Sequence, residues 1–279
     1  MEKAIKRYFP IFLLPTLAAF TIGFIVPFLM GIWLSFCKFT TVTDATFNGV
    51  ENYVRAFQDT IFRHAFWYTA LFAVVSLVVI NIIAFLIALA LTQKMRGTNI
   101  FRTVFFMPNL IGGIVLGYIW SMIFDGILIK YNTSVILETK YGFWGLVILV
   151  CWQQIGYMMI IYIAGIQNIP GDLIEAAKID GASEWKVFLK IVMPNVKPAW
   201  LTLIIFSVQN LWNNRASTYI YTEKRKTLVY ALQQIQSGGV ARTGQMAAVS
   251  VIVMIVPIIV FVLSQSQVLE TMASSGIKE

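Results

Sequence analysis

Charge is scarce in this sequence of 279 residues, because Asp, Glu, Lys and Arg together make up only 12% of it. Soluble proteins carry roughly 25% charged residues, about twice as much. Cysteine and histidine are almost absent. The two cysteines, Cys37 and Cys151, lie at the end of or inside apolar stretches, which argues against a disulfide framework and gives no sign of a thiolate metal site. With His64 as the single histidine, an H-E-x-x-H zinc motif cannot occur, and the phosphate-binding loop G-x-x-x-x-G-K-[ST] is missing.

The sequence instead contains long runs without any charged residue. Crossing the hydrocarbon core of a bilayer requires about 20 apolar residues, with a range of about 17–25. Six runs without Asp, Glu, Lys or Arg meet this requirement, the fifth only just: 8–37, 64–93, 103–124, 141–171, 198–214 and 243–269. The first run is far longer than the core of a cleaved signal peptide, so we predict that it is a retained helix. The sequence therefore predicts an all-α, polytopic membrane protein with six transmembrane helices.

Basic residues indicate the orientation of these helices. Lys3, Lys6 and Arg7 precede the first run, and the short turn after the second holds Lys94, Arg96 and Arg102 with no acidic residue. The positive-inside rule places both segments in the cytoplasm. With six spans, both termini are then cytoplasmic. The net charge of +8 is explained by this anchoring, so nucleic acid is not needed as a partner.

Three regions follow from the spacing of the runs. Residues 1–65 contain the first helix and an outer loop, 66–265 form a block of five helices with a cytoplasmic loop at 170–198, and 266–279 form a cytoplasmic tail. Gly113 and Gly117 have the spacing that brings two membrane helices close together.

The loop contains the stretch EAAKIDGASEWKVFLKIVMP at 175–194, which has six charges. Each charge costs about 2.5–3.5 kcal/mol at the bilayer centre, so this stretch stays outside the membrane. Asp172 and Glu175 have the spacing of a capping box that starts a helix. Gly181 then interrupts the helix, and Ser183 is placed to cap a second one. The segment is thus predicted to be a helix–turn–helix.

In the second helix an apolar stripe is expected at the spacing i, i+3, i+4, i+7. Its members are Trp185, Phe188, Leu189 and Val192. A helix that binds the lipid surface needs a strongly basic polar face, whereas here three acids balance three bases. We therefore favour a short helix inserted into the groove of a partner protein.

The same segment matches the pattern EAA-x3-G-x9-I-x-[LM]-P. Its matching residues are Glu175, Ala176, Ala177, Gly181, Ile191 and Pro194, with Met193 where leucine is usual. This pattern resembles the coupling motif of ATP-binding-cassette importer permeases, and the surrounding sequence is similar to the maltose-type sugar branch. FNGVENYVRAF, GTNIFRTVFFMPNLIGGIVLGYIWSMIF, NLWNN and QSQVLETMASSGIKE are similar to further stretches of that branch, so the resemblance covers nearly the whole chain. The start and the tail resemble different sister subunits, which leaves open which of the two this chain is.

The resemblance implies a coupling helix docked on an ATP-hydrolysing subunit. By analogy, Glu175 and Asp180 face basic residues of that subunit, Gly181 makes the turn, and Trp185 and Phe188 support docking. Packing of these two aromatic residues against the chain's own helices is the alternative. The small side chains of Ala176 and Ala177 permit close approach, and Pro194 closes the segment.

The resemblance also implies which partners the chain has. The expected partners are a sister permease, two ATP-binding subunits that hold ATP and magnesium, an extracellular solute-binding protein, a sugar and the lipid of a prokaryotic cell membrane. This chain itself is then a non-catalytic transport subunit without a cofactor. Glycerol-phosphate esters are the alternative substrate in this branch. A membrane-embedded lipid enzyme would show clustered Asp, Glu or His at an interface, and a passive channel would not need a structured docking loop.

Polar groups deep in membrane segments are costly and therefore indicate function. Amides and aromatic rings together suit a sugar, and no unpaired charge lies in a predicted span, which favours a neutral solute over an ion. The candidate substrate path comprises Trp152, Gln153, Gln154, Tyr157, Gln209, Asn210, Trp212, Asn213 and Asn214. Aromatic residues also concentrate at membrane interfaces and amides also hold helices together. We expect Asn81 to hold helices together in this way and not to contact substrate.

Overall fold

The computed structural model describes residues 2–41, 44–93, 96–135, 137–214 and 226–275. In this part of the chain the secondary structure is helical apart from one two-stranded hairpin. The α-helices and strands in chain order are α1 Glu2–Phe20, α2 Val26–Ser35, β1 Cys37–Phe39, β2 Ala45–Phe47, α3 Glu51–Gln58, α4 Thr60–Thr92, α5 Thr98–Phe106, α6 Gly113–Leu128, α7 Thr139–Gln167, α8 Gly171–Ile179, α9 Glu184–Val187, α10 Met193–Asn195, α11 Lys197–Trp212, α12 Leu228–Gln236 and α13 Thr243–Ser275. Short π-helical turns occupy Thr21–Ile25 and Phe188–Val192, and 3₁₀ turns occupy Met107–Leu110, Ile129–Tyr131 and Val240–Arg242.

Five helical stretches of the described chain are long and apolar enough to cross a membrane: Leu13–Ser35, Thr60–Thr92, Gly113–Tyr131, Lys140–Gln167 and Val240–Gln265. A sixth exists if α11 is counted with the short helices before it, Glu184–Asn195, from which it is bent by 62°. The all-α, polytopic architecture expected from the uncharged runs is thus confirmed. Helix α13 continues through position 265 to Ser275, so no helix end marks the start of the expected tail.

The third uncharged run differs from the expectation of one continuous helix. It contains two helices, since a 3₁₀ turn at Met107–Leu110 follows α5 and the backbone of Ile111 is extended. Pro108 in this turn has no N–H group to continue a helical hydrogen-bond ladder. The apolar span therefore begins at Gly113 and extends past Asp125, whose Oδ1 accepts a hydrogen bond of 2.9 Å from the Val135 amide. The third candidate span is therefore shifted relative to the uncharged run 103–124 and includes Asp125.

One compact unit combines Met1–Arg63 with Ala231–Ile255. In its first apolar span, Leu13–Ser35, Ser35 at the end is buried and the other residues are exposed or half-buried, so nearly the whole surface of the span is available to lipid or to another chain. The span is followed by the antiparallel hairpin, in which Cys37 pairs with Phe47, and by α3. Much of the expected outer loop is therefore ordered secondary structure.

The second unit combines His64–Tyr230 with Val256–Glu279. In it α7 packs against α5, α6 and α11, and its core side chains include Phe72, Ile80, Met158, Met159, Leu203 and Leu211. At Gly113, one member of the pair expected to bring helices close, a Cβ would meet nothing within 4 Å in the described part of the chain, whereas Gly117 is buried. A close helix approach occurs at Gly156, where a Cβ would overlap the Phe105 carbonyl. Residues without side chains let two backbones approach in this way.

Candidate functional site

The charged segment forms the expected two helices, α8 and α9, joined by a turn. Gly181 at this turn has φ of +73°, a left-handed conformation that glycine adopts without steric cost. The Gly181 amide donates to the Lys178 carbonyl at 3.1 Å, and the Ala182 amide donates to the Ala177 carbonyl at 2.9 Å. These two bonds make a Schellman motif, which satisfies the last carbonyls of α8.

The helix starts agree with the sequence only in part. Ser183 precedes α9, and its side chain accepts a hydrogen bond from the Lys186 amide, which confirms the expected cap. The capping box expected at Asp172 and Glu175 is wrong, because α8 already begins at Gly171 after Pro170, without a side-chain cap. Asp172 lies in the first turn instead, where a negative charge is favourable because of the helix dipole.

The apolar stripe predicted for the second helix is also wrong. Val187 and Val192 are the buried residues of this stretch, whereas Trp185 and Leu189 are 75% and 60% exposed. The π-helical turn over Phe188–Val192 explains the difference. Its hydrogen bonds close over one more residue than in an α-helix, so the spacing of a regular α-helix does not apply.

The two aromatic residues of the segment have different surroundings. The ring of Phe188 lies 5.9 Å from the ring of Phe85 on α4, so Phe188 packs against the chain's own helix. Trp185 touches Phe188 edge to face at 5.9 Å and leaves most of its surface exposed. Trp185 is therefore the aromatic residue available to a partner, and Phe188 supports it from behind.

The remaining residues assigned to ATPase coupling lie mostly at the surface. Exposed members are Glu175, Ala176, Asp180, Gly181 and Pro194, while Ala177 is half-buried. An ion pair of 3.2 Å between Lys178 and Glu184 bridges the two helices, but it is exposed and contributes little to stability. Ile179 is 80% exposed. The segment thus offers large apolar side chains together with the exposed carboxylates of Glu175 and Asp180.

A polar cleft of about 360 Å³ lies midway along α7. Its lining residues are Asn109, Gln153, Gln154, Tyr157, Phe206 and Asn210. Phe206 and Asn210 are one turn apart on α11, and residues at this spacing lie on the same helix surface. Asn109 belongs to the 3₁₀ turn that interrupts the third run. The break in that run therefore delivers an amide to the cleft.

Two side-chain amide groups in this cleft are free to form further hydrogen bonds with a ligand. Gln153 Nε2 reaches the Ile111 carbonyl only at 3.5 Å, and Gln154 Oε1 is buried with no hydrogen-bond partner in the part of the chain that the structure describes. A buried amide oxygen left unpaired costs free energy, which a ligand hydroxyl could recover. The lining carries six uncharged side chains, and no group of His, Cys, Asp or Glu among the described residues could hold a metal ion.

Five of the nine residues in the predicted substrate path do not line this cleft. Trp152 packs against Trp120 on α6 at 5.4 Å, and buried Trp212 packs against Phe66 on α4 at 5.6 Å. Asn213, just after α11, donates to the Gln209 carbonyl at 2.9 Å; Asn214 follows it as the last described residue before position 226. The other four, Gln153, Gln154, Tyr157 and Asn210, are brought together.

Sequence reasoning missed Asn109 and Phe206. The signal for Asn109 is its position after Pro108, because a proline that interrupts an apolar helix exposes the polar residue beside it. Phe206 could have been found from its position four residues before Asn210. An aromatic ring one turn from an amide is the combination that suits a sugar.

Family comparison decides what kind of protein carries these features. Residues 96–272 match the family model described as binding-protein-dependent transport system inner membrane component. The chain belongs to this family. Its members are non-catalytic permease subunits of ATP-binding-cassette transporters, which are multi-pass membrane proteins, so the resemblance stated from the coupling motif is confirmed.

Individual relatives extend this result over most of the chain. The chain is 40% identical to the probable starch degradation products transport system permease protein AmyD of Thermoanaerobacterium thermosulfurigenes, over 72% of this chain and 71% of that protein. It is 28% identical to the arabinooligosaccharides transport system permease protein AraP of Bacillus subtilis, over 91% and 86%.

A solved structure agrees at the level of the fold. It is a bacterial ABC transporter involved in the import of the acidic polysaccharide alginate, and it matches with a TM-score of 0.75 at 19% identity, over 99% of both chains. The permease fold therefore extends beyond the residues of the family model.

Proposed function

We propose that this permease forms half of the translocation path for a neutral sugar or oligosaccharide in an ATP-driven importer. The observation that carries the proposal is the uncharged cleft on α7 and α11, in which amides and aromatic rings converge. Amides hydrogen-bond to hydroxyl groups, and aromatic rings stack on the apolar C–H faces of a sugar ring. A phosphate ester is less suitable, because the lining has no cation to balance its charge.

Names of the relatives support an oligosaccharide. AmyD and AraP are described as permeases for starch degradation products and arabinooligosaccharides. One solved relative was crystallised with a periplasmic protein that holds an alginate pentasaccharide. By analogy, an extracellular binding protein delivers the sugar to this permease, and a sister permease supplies the other half of the path.

The exposed segment α8–α9 is proposed to dock on an ATPase subunit. Trp185 enters a groove of that subunit, while Glu175 and Asp180 face its basic residues. ATP and magnesium are held there and not in this chain. Closure of two such subunits on ATP then moves the docked helices, because a ligand shifts a two-state equilibrium only through contacts that differ between the states.

This docking requires the segment to be cytoplasmic. Lys94 and Arg96 between α4 and α5, together with Arg102 in α5, favour the cytoplasm for this end of α4 under the positive-inside rule. With six spans, the termini and α8–α9 lie on the same side. Labelling of an engineered cysteine at Lys186 with an impermeant reagent in intact cells would contradict this arrangement.

The coupling role is tested by uptake in proteoliposomes that contain the whole transporter. Glu175→Lys reverses the charge offered to the ATPase, and Gly181→Pro is incompatible with the positive φ of the turn. We expect both variants to lose ATP-dependent uptake of labelled maltooligosaccharides while their membrane insertion remains intact. Glu138→Lys makes the same charge change at the start of α7 and should retain uptake. Uptake that survives both coupling changes would refute the assignment.

A further inference from the structure

One side of α3 is fixed to the end of the first span by a buried amide. The side chain of Asn52 is 5% exposed, and its Nδ2 donates to the Ser35 carbonyl at 2.9 Å and to the Cys37 carbonyl at 2.8 Å. The Tyr53 hydroxyl lies 2.7 Å from Ser35 Oγ. Because buried hydrogen bonds of this kind are costly to break, they hold α3 in a defined orientation.

The first turn of α13 packs on the same junction. A Cβ at Gly244 would overlap the Cys37 carbonyl and come within 2.6 Å of Asn52 Nδ2. Ala56, one turn after Asn52, is fully buried. The surface of α3 that carries Asn52 and Ala56 is thus packed against protein.

The opposite surface of α3 is apolar and exposed. Val50, Val54 and Phe57 are 62%, 44% and 47% exposed, and their spacing of four and three residues places them on one surface. This stripe is separated from the buried side by Glu51 and Arg55, which form an exposed ion pair of 3.0 Å. A helix buried on one side normally presents polar residues on the other, so the exposed stripe requires another apolar environment.

Apolar exposure also continues from the first span to this stripe. Trp33 lies in the last turn of α2, at the end of the span Leu13–Ser35. Its ring stacks on Phe47 of the hairpin at 5.9 Å, and both rings are more than half exposed. Tryptophan at the end of a membrane helix marks the headgroup region of the bilayer. Phe47 is three residues before Val50, so the apolar surface passes from the span into α3.

We propose that α3 is an interfacial helix, with Val50, Val54 and Phe57 inserted among the lipids at the C-terminal end of the first span. Lipid is favoured over a protein partner because the stripe is continuous with a membrane-spanning surface that ends in an interfacial tryptophan. The Glu51–Arg55 pair leaves the adjoining polar side without net charge, so insertion depends on buried apolar area and not on anionic lipid. Because Asn52 contacts the C-terminal end of α2 and the first turn of α13, insertion of α3 into the lipid would also hold these two helix ends at the membrane surface.

The test uses the full-length permease in its transporter complex, reconstituted into phosphatidylethanolamine–phosphatidylglycerol liposomes. Val54→Cys and Arg55→Cys carry a nitroxide on the apolar surface and on the exposed polar side of the same helix. Cys37 and Cys151 are buried, and the chain without an added cysteine gives the background labelling. The accessibility of each nitroxide to oxygen, which partitions into lipid, is compared with that to a water-soluble nickel chelate.

For the label at Val54 we expect an oxygen-to-nickel accessibility ratio several-fold higher than for the label at Arg55. Val50→Cys, a second position on the stripe, should give the same result if one label disturbs the helix. Equal ratios at the two surfaces would place α3 in water and overturn the proposal. Exclusion of both reagents from the label at Val54 would mean that a protein covers the stripe, which overturns it equally.

Discussion

Tyr162 on α7 donates a hydrogen bond of 2.8 Å from its hydroxyl to Asn81 Oδ1 on α4. Asn81 also donates to the Leu77 carbonyl of its own helix at 2.8 Å. Both residues border an apolar cleft of about 360 Å³, so water cannot easily replace the bond. The role of helix glue expected for Asn81 is therefore confirmed, and α4 and α7 are joined inside the membrane region.

Tyr162→Phe removes the donor of this bond and should destabilise the permease. Hydrogen bonds between membrane helices are worth about 0.6 kcal/mol on average and about 1.7 kcal/mol at most, so we expect a small but measurable loss in thermal stability in lipid nanodiscs. Tyr141→Phe, at an exposed tyrosine of the same helix, is the matched control. If the bond acts as described, adding Asn81→Leu to Tyr162→Phe should cost less than the sum of the two single changes.

Gly156→Ala should weaken the packing of α5 on α7. The new Cβ would overlap the Phe105 carbonyl, a backbone atom that cannot rotate away, and overpacking costs about 1–3 kcal/mol. Gly113→Ala places the same methyl group where nothing lies within 4 Å. Thermal unfolding of the two variants measures the difference, and equal stability would mean that the close approach at Gly156 is absent in the membrane.

Trp185→Ala and Phe188→Ala should have different consequences. Trp185 is exposed, so its removal should reduce copurification of the ATPase subunits without lowering the thermal stability of the isolated permease. Phe188 packs on Phe85, so its removal should lower that stability. If Trp185→Ala lowers the permease's own stability instead, Trp185 has an internal role that its exposure does not reveal.

Gln154→Leu should impair substrate handling in the polar cleft. Its buried Oε1 has no hydrogen-bond partner among the described residues, and one hydrogen bond to a ligand is worth about 0.5–1.5 kcal/mol. We therefore expect the apparent KM for maltooligosaccharide uptake to rise by about twofold to tenfold. Gln93→Leu makes the same change at an exposed position after α4 and should leave KM unaltered. An unchanged KM in Gln154→Leu would remove this residue from the substrate path.

Several features of the functional segments could be read from the sequence because they depend on neighbouring residues. Ser183 caps α9 through an amide three residues away, and Gly181 makes a turn that needs a positive φ. The predicted apolar stripe failed because it assumed the spacing of a regular α-helix. The spacing Trp185–Phe188–Leu189–Val192 predicts a stripe only if the helix is regular, and the π-helical turn changes which residues are buried.

The residues that line the polar cleft could also be predicted only in part, because they come from distant parts of the chain. Gln153 and Asn210 were identified because amides inside apolar runs are unusual, but nothing local distinguishes them from Gln209 or Asn213. Asn109 joins them only because the third run breaks at Pro108 and packs on α7. A contact between residues far apart in the chain is determined by packing, which the pattern of a single run does not contain.

The sequence by itself determined that this chain is a multi-pass membrane protein and a member of the permease family. The free energy of transferring a segment into lipid is close to a sum over its own residues, and the coupling motif is contiguous in sequence. Only the tertiary structure decided that Phe188 supports Trp185, which amides line a common cleft, and that α3 has an exposed apolar side. Each of these depends on which distant surfaces are buried against one another, and burial is a property of the folded chain as a whole.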